Sequence, residues 1–425
     1  MVSGIAVTFL AALAACSTGS HPNQLIETEN LSTGILFFGD SGYHLDYLDA
    51  DDYLEKFTEE EFRQYEWASW LEDKRPADEF EVRPYAVSPA TGGVVMASGM
   101  QAISKAMRNF CREDAVCDFG LMLGDNIYPE GPTLGADGIP DEKRFRDTLA
   151  DPFGDLVDEP EGFVIYGTHG NHDWKTSRDG GFAEVKFMEK TEGFYMDGPY
   201  YTVKPAAGEG QIELFVVDTS MILDSVPVLE DSLNDDGSEA STGVLEEADY
   251  NTSPLTEAEK LMPEWLERSL RESTARWKIV VAHNQIWSSS GSKFEQARAL
   301  RRVILPAMCR YADVYLVGHE HTLEIHTDDC SAALGAPTEK PLVQIVSGAA
   351  SKQRPLNTNF MHHQNLKYPG HQSIWAEGLV WGFSHMQIEG DTASVTMLSV
   401  PDDGSSDHSV EFEYQFERRS HLIHP

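Results

Sequence analysis

The stretch CDFGLMLGDNIY, residues 117–128, runs from a cysteine through a short apolar segment into a glycine, a carboxylate, an amide and a tyrosine. Alone it has two readings. Asp and Asn are turn formers, so the end is an ordinary turn after a buried strand. Alternatively, the strand delivers Asp125 and Tyr128 to a site at its end. The rest of the chain decides between them. Similar apolar runs recur as GILFFGDSG (34–42), GFVIYGTHGNHD (162–173), IELFVVDTS (212–220), WKIVVAHN (277–284), VYLVGHEH (314–321) and VQIVSGAA (343–350). Strands buried on both faces have this composition. Between them, Met96, Met100, Ile103, Met107 and Phe110 share one helical face and predict a helix over 94–112. A second helix is predicted from Pro263, with Trp265, Leu266 and Leu270 on its apolar side. The alternation of strand and helix predicts an α/β core. After residue 380, WGFSHMQIEG, ASVTMLSV and SVEFEYQFE alternate and predict antiparallel strands closing a sheet.

The chain has 425 residues and 41% hydrophobic content, enough for one large α/β domain. Its 70 acidic and 32 basic residues leave a net charge of -38. Such a surface repels nucleic acid and anionic lipid, and it favours solubility. At the N-terminus GIAVTFLAALAAC is apolar from Ile5 to Ala15, too short to span a bilayer, and a polar stretch follows. LAAC, ending at Cys16, resembles a bacterial lipoprotein signal, although MVSG lacks Lys and Arg. The expectation is export to the periplasm or cell surface with a lipid on Cys16, the only membrane attachment foreseen. An ordinary cleaved signal peptide is the alternative. The other cysteines are Cys111, Cys117, Cys309 and Cys330. An even number in an exported chain suggests disulfides, and four allow three pairings. Cys111–Cys117 closes the loop CREDAVC, and Cys309–Cys330 flanks a strand-and-loop unit, so this pairing is favoured over buried thiols.

The polar residues at the ends of the apolar runs are Asp40, Asp125, Tyr128, Asn171, His172, His283, His319 and His321. In open α/β sheets, ligands gather beyond the carboxyl ends of the strands. Carboxylate, amide oxygen, imidazole and phenolate suit hard or borderline metals. The group exceeds what one ion needs, so two ions are expected.

In order, the chain carries GDSG (39–42), GDNIY (124–128), GNHD (170–173), VVAH (280–283) and GHEH (318–321). This set resembles the five motifs of the purple acid phosphatases, of the tartrate-resistant type, within the calcineurin-like metallophosphoesterases. Most of that superfamily has a metal-binding His where Gly42 stands here, and Tyr128 is placed to replace it. The resemblance implies a four-layer α/β/β/α sandwich with two mixed β-sheets and a dinuclear site at the strand C-termini. It implies Asp40, Asp125, Tyr128 and His321 around Fe(III), and Asp125, Asn171, His283 and His319 around a divalent Fe, Zn or Mn. His172 is left as the general acid, oriented by Asp173. His319 and His321 alternate around Glu320, which in an extended segment puts both imidazoles on one side.

Departures from the family are Ser41 for a common Trp, and Asn284-Gln285 after the fourth-motif His, on the substrate side in relatives. His169 is expected in a supporting role. His44, His326 and His385 carry no pattern, whereas His362, His363 and His371 are weighed as loop residues touching substrate. The implied function is hydrolysis of a small phosphoric monoester by a hydroxide generated at the ions. A phosphodiesterase or nucleotidase on the same site is the alternative, with a surface-anchored non-catalytic binding protein behind it. The expected organisation is a signal at 1–16, a linker at 17–33 and one metallophosphoesterase domain at 34–425. Within it, 43–90, 222–256 and 351–378 are read as insertions or loops. Oligomeric state is left open.

Overall fold

The computed structural model describes residues 31–47, 57–89, 91–157, 162–246, 251–253 and 256–419. The N-terminal signal pattern, Cys16 and most of the 17–33 segment lie outside these residues. In chain order the strands are β1 (Ser32–Phe38), β2 (Tyr85–Val87), β3 (Val94–Met96), β4 (Phe119–Met122), β5 (Ile165–Gly167), β6 (Phe194–Tyr195), β7 (Tyr200–Val203) and β8 (Ile212–Val217). They continue as β9 (Trp277–Val281), β10 (Val314–Val317), β11 (Leu323–Asp328), β12 (Leu342–Ser347), β13 (His371–Glu377), β14 (Trp381–Glu389), β15 (Thr392–Val400) and β16 (Ser409–Glu417).

Two mixed sheets form, in the orders β16-β15-β14-β1-β4-β5-β6 and β13-β11-β12-β10-β9-β8-β7. In the first, β1, β4, β5 and β6 pair in parallel, and β14 joins β1 antiparallel. In the second, β8, β9, β10 and β12 are parallel, β7 and β11 flank them antiparallel, and β13 pairs antiparallel with β11 at the edge.

The two-residue period of a strand explains the layering. Leu214 and Val216 of β8, Ile279 and Val281 of β9, and Val314 and Leu316 of β10 share one core with Ile35, Phe37 and Leu121 of the first sheet. The intervening Phe215, Val217, Val280, Tyr315 and Val317 pack instead with Leu266, Leu270 and Met308 from helices. On the far side of the first sheet, the helix Met100–Glu113 buries Met100, Ile103, Met107 and Phe110. The result is helix, sheet, sheet, helix. Runs apolar on both faces were therefore the correct strand signal.

One expectation needs correction, and two of the stretches read as insertions or loops hold regular elements. The helix predicted over 94–112 begins only at Met100, and Val94–Met96 is a strand paired with Tyr85–Val87. A side chain at Gly99 would meet the Trp381 ring at 2.4 Å, so the turn between strand and helix needs glycine. The 43–90 region contains a capped helix, Glu59–Glu72, with Thr58 and Glu61 forming a capping box. The 351–378 region is largely regular: it holds the helix Thr358–Lys367 and the edge strand β13. The expected helix near Pro263 spans Met262–Glu272 and buries Leu266 and Leu270. Both expected disulfides are present, Cys111–Cys117 and Cys309–Cys330, with Cα atoms 5.4 and 5.7 Å apart.

Candidate metal centre

Five parallel strands end on one side of the two sheets. Asp40 follows β1, Asp125 follows β4, Asn171 follows β5, His283 follows β9 and His319 follows β10. Asp40, Asp125 and His319 have left-handed backbone, with φ of 56°, 53° and 68°. Non-glycine residues there cost roughly 1–3 kcal/mol each and persist only where surroundings hold them. Here the amide of His319 donates to Asp40 Oδ2 at 2.7 Å, locking two of the three bends together.

Tyr128 Oη lies 2.8 Å from Asp40 Oδ1, 2.7 Å from Asp125 Oδ2 and 3.2 Å from His321 Nε2. A phenol has one proton, so it cannot satisfy two carboxylates. Asp125 Oδ2 is also 3.4 Å from His283 Nε2, and His283 Nε2 is 3.0 Å from His319 Nδ1. Donor atoms of Asp125, His283 and His319 all fall within 4.8 Å of one another. His283 Nδ1 donates to the Leu123 carbonyl at 2.8 Å, so its neutral form turns a lone pair at Nε2 toward the cluster. Asn171 Oδ1 is buried with no hydrogen-bond partner among the described residues. These orphaned and crowded donors fit cations held between them.

The electrostatics agree. Burial pushes the Asp40 carboxyl up to about 7, and Asp125 adds to the rise against the pull of His283. Burial, then the Asp125 and Asp40 charges, push the Tyr128 phenol well above its usual value. Burial would also raise Asp125, but His283 and His172 outweigh it and hold it well below the carboxylate range. Burial opposes charge on His283, yet Asp125 raises it to about 10. Carboxyl and phenol groups crowded beyond what one imidazolium offsets are what a cation relieves.

Gly42, where most of the superfamily has histidine, admits no side chain: a Cβ there would lie 2.0 Å from the Asn126 carbonyl. The GDNIY loop occupies that space, and Tyr128 reaches the centre from it. A Cβ on Gly318 would lie 2.6 Å from Asp40 Oδ2.

The neighbouring residues differ from several expectations. The segment 319–321 is not extended. Glu320 N donates to Gly318 O and Thr322 N to Glu320 O, so a tight turn carries the two imidazoles. Asp173 does not hold the His172 ring. Its oxygens accept the amides of Ile127 at 3.0 Å and Gly170 at 2.7 Å, tying two motif loops together. The ring is held by Pro129, whose carbonyl accepts from His172 Nδ1 at 2.6 Å. Asn284 is engaged with Thr219 at 2.7 Å and Gln296, a packing role rather than a substrate-facing one. Glu320 is buried and gathers Gln285, Ser288, Ser290 and Arg354, the last at 2.5 Å. His169 bonds the Gly181 carbonyl at 3.0 Å and packs against the Trp174 ring. His371 is buried in β13 against Trp287, and His326 pairs with Glu324 at 2.6 Å. His385 bonds the Val116 carbonyl, His44 is partly buried, and His362 and His363 sit on the helix Thr358–Lys367. Sequence reasoning missed Pro129, Ser351 and Arg354, whose roles are set by position rather than by a motif.

Behind the centre, Glu184 accepts from Asn126 Nδ2 at 2.9 Å. Its other oxygen, like Asn126 Oδ1, has no hydrogen-bond partner among the described residues. Burial pushes the Glu184 carboxyl up to about 8, with Asn126 opposing. The folded chain then keeps a proton that the unfolded chain releases above 4.5. Stability from this group is full below that value and is lost as pH rises toward 8. Glu184→Gln is expected to be more stable than wild type near pH 8, by about 2–4 kcal/mol, with a flatter pH dependence. Urea unfolding at acidic and alkaline pH measures this, and an unchanged slope would exclude a retained proton.

The profile of the calcineurin-like phosphoesterase family matches residues 35–323, and the chain belongs to that family. Its relatives there include purple acid phosphatases of Arabidopsis thaliana. Purple acid phosphatase 4 is 27% identical over 258 residues, covering 60% of this chain and 65% of that protein. Purple acid phosphatase 3 is 29% identical over 212 residues, 49% of each. The chain thus spans less than two thirds of the length of these relatives. Among solved structures, purple acid phosphatase PPD1 from yellow lupin (Lupinus luteus) superposes with a TM-score of 0.52 at 15% identity, over 92% of this chain and 55% of that one. GAP50, the anchor in the inner membrane complex of Plasmodium, gives 0.52 at 13% identity, over 92% and 91%. At these identities both matches speak to the fold. The family implies a dinuclear metal site, and the matched span of residues 35–323 includes Asp125, His283 and His319, whose donor atoms cluster in this structure.

Proposed function

We propose that this chain is a phosphatase acting on small phosphoric monoesters with two metal ions. Asp40, Asp125, Tyr128 and His321 would hold Fe(III), and Asp125, Asn171, His283 and His319 a divalent Fe, Zn or Mn. The observation that carries the reading is the Tyr128 hydroxyl set within 3.2 Å of Asp40, Asp125 and His321. A phenol of ordinary pKa about 10, raised further here by burial, gives up its proton at acidic or neutral pH only to a strongly acidic cation. Bound ions would supply Lewis acidity toward phosphate oxygens and make a water nucleophilic.

The chain's own part is to orient and to move a proton. His172 Nδ1 donates to Pro129, which leaves Nε2 to carry the exchangeable proton. Its ring packs 4.4 Å from that of Tyr128, beside the centre. Burial lowers its pKa to about 4, against the pull of Asp125. The imidazolium is therefore the acid-side form, and protonation of a departing alkoxide is favoured at acidic pH. Asp173, bracing Ile127 and Gly170, keeps the two loops in register. The insertion around Glu59–Glu72 packs Phe62 with Tyr43 and Tyr128, so it walls one side of the site. That wall is what favours asking whether diesters or nucleotides also fit.

Metal analysis, visible spectroscopy and turnover of protein purified without chelator test the reading together. The expected result is iron, a visible phenolate-to-iron band and hydrolysis of 4-nitrophenyl phosphate but not bis(4-nitrophenyl) phosphate. Tyr128→Phe should remove the band. An iron-loaded wild type without a band would sink the iron–phenolate assignment. Efficient diester cleavage would move the chain to the phosphodiesterase reading. The N-terminal pattern supports export with lipid on Cys16, ahead of a single domain over 34–425. The mass of the Cys16 peptide, with or without diacylglycerol, decides the lipid.

A further inference from the structure

Lys352 stands among the cations near the centre without a carboxylate partner. Arg354 is held by Glu320, Arg75 by Asp73, Arg83 by Glu66 and Lys175 by Glu130. Lys293 shares the field of Asp231, whose carboxylate accepts its amide. No carboxylate among the described residues pairs with the Lys352 ammonium. Nζ instead lies 4.4 Å from the centroid of the Tyr128 ring and 5.5 Å from that of Tyr43. The two rings meet edge to face, with centroids 6.4 Å apart. An ammonium in an aromatic corner keeps its charge while its stem is packed.

The backbone on either side of Lys352 is anchored to metal-centre residues. Ser351 Oγ donates to the Asp40 carbonyl and accepts the Tyr43 amide at 3.2 Å. Its own carbonyl accepts the Gly99 amide at 3.0 Å. On the other side, Arg354 N donates to the His321 carbonyl at 2.9 Å. Lys352 is thus set between Asp40 and His321, while its side chain is only partly buried. Tyr128, whose ring it covers, also packs against His172, so the ammonium and the imidazole flank the same ring. After burial, Lys352 is among the charges that depress both His172 and His321, which agrees with this placement.

We propose that Lys352 is a substrate-binding residue whose ammonium contacts an oxygen of the phosphate group, in a chain whose net charge of -38 otherwise opposes an anion. This rests on the phosphatase reading above. A charge-assisted contact to a dianion needs no particular leaving group, because it is made to the part common to every monoester. Lys352 therefore differs from His172, whose contribution follows leaving-group basicity.

The test measures inorganic phosphate binding by calorimetry on full-length protein with its metals, alongside metal content and turnover. Lys352→Met is expected to weaken phosphate about tenfold or more and to reduce the salt dependence of binding. Its kcat/KM should fall by a similar factor for aryl and alkyl esters alike. Lys352→Arg should stay within about threefold of wild type, since it restores the charge. Unchanged phosphate affinity in Lys352→Met overturns the proposal. So does a loss traced entirely to reduced metal content, which would make the residue a support for Tyr128. A wild type that binds phosphate but turns over no ester defeats the phosphatase reading, whereas weakened phosphate binding in Lys352→Met would still uphold the contact.

Discussion

His172→Ala is expected to slow hydrolysis of an alkyl phosphate such as glycerol phosphate by about 10²–10⁴-fold, with much less effect on 4-nitrophenyl phosphate. A nitrophenolate leaves without a proton. An alkoxide is far more basic and needs one as the bond to phosphorus breaks. The imidazole is built for this: Pro129 fixes its tautomer, and the Tyr128 ring fixes its plane. It belongs to neither proposed ligand set, so metal content should be unchanged. The comparison is made under conditions where chemistry limits the rate. Equal slowing of both esters with metals retained would mean that His172 positions substrate or water instead. The alkyl-ester rate of wild type should fall on the alkaline side, because the acid form is lost as pH rises through the His172 pKa.

Asp125→Asn should be the most damaging conservative change in the centre. Asp125 Oδ2 is 2.7 Å from Tyr128 Oη and 3.4 Å from His283 Nε2, and its Oδ1 accepts the His172 amide at 2.9 Å. The residue stands in both proposed ligand sets and positions the general acid. The asparagine keeps the shape but lacks the charge that offsets a cation, and one oxygen becomes an N–H donor. Loss of several kcal/mol of metal-borne stabilisation corresponds to a fall of about 10³-fold or more in turnover. Metal content measured after dialysis should drop with it, while circular dichroism stays native. A variant that keeps its metals and most of its rate would remove Asp125 from the bridging role.

Much of the centre was legible because its residues follow strands, and strands are legible. A run such as WKIVV is apolar at every position only when both sheet faces are covered, and the residue after it must emerge at a sheet edge. His283 and Asp125 could therefore be singled out without coordinates. The edges of elements were less legible. Met96 fits the helical period of Met100 and Ile103, yet pairing with Tyr85 captured it into a strand. His319 and His321 also fit strand alternation around Glu320, but the left-handed backbone of His319 turned the segment into a bend. Periodicity records which side chains are apolar and not which backbone partner is available.

What the sequence determined by itself was the α/β class, the five strand ends that carry Asp, Asn and His and the cysteines available for pairing, because each depends on residue type at short range. The tertiary structure alone decided the rest. It assigned the His172 ring to the Pro129 carbonyl rather than to Asp173, and it turned Asn284 toward Thr219. It also excluded a side chain at Gly42 by placing the Asn126 carbonyl there, and it set Lys352 against the Tyr128 ring. These are contacts between segments far apart in the chain. Their partners are chosen by the packing of two sheets and the space left between loops, which no local pattern encodes.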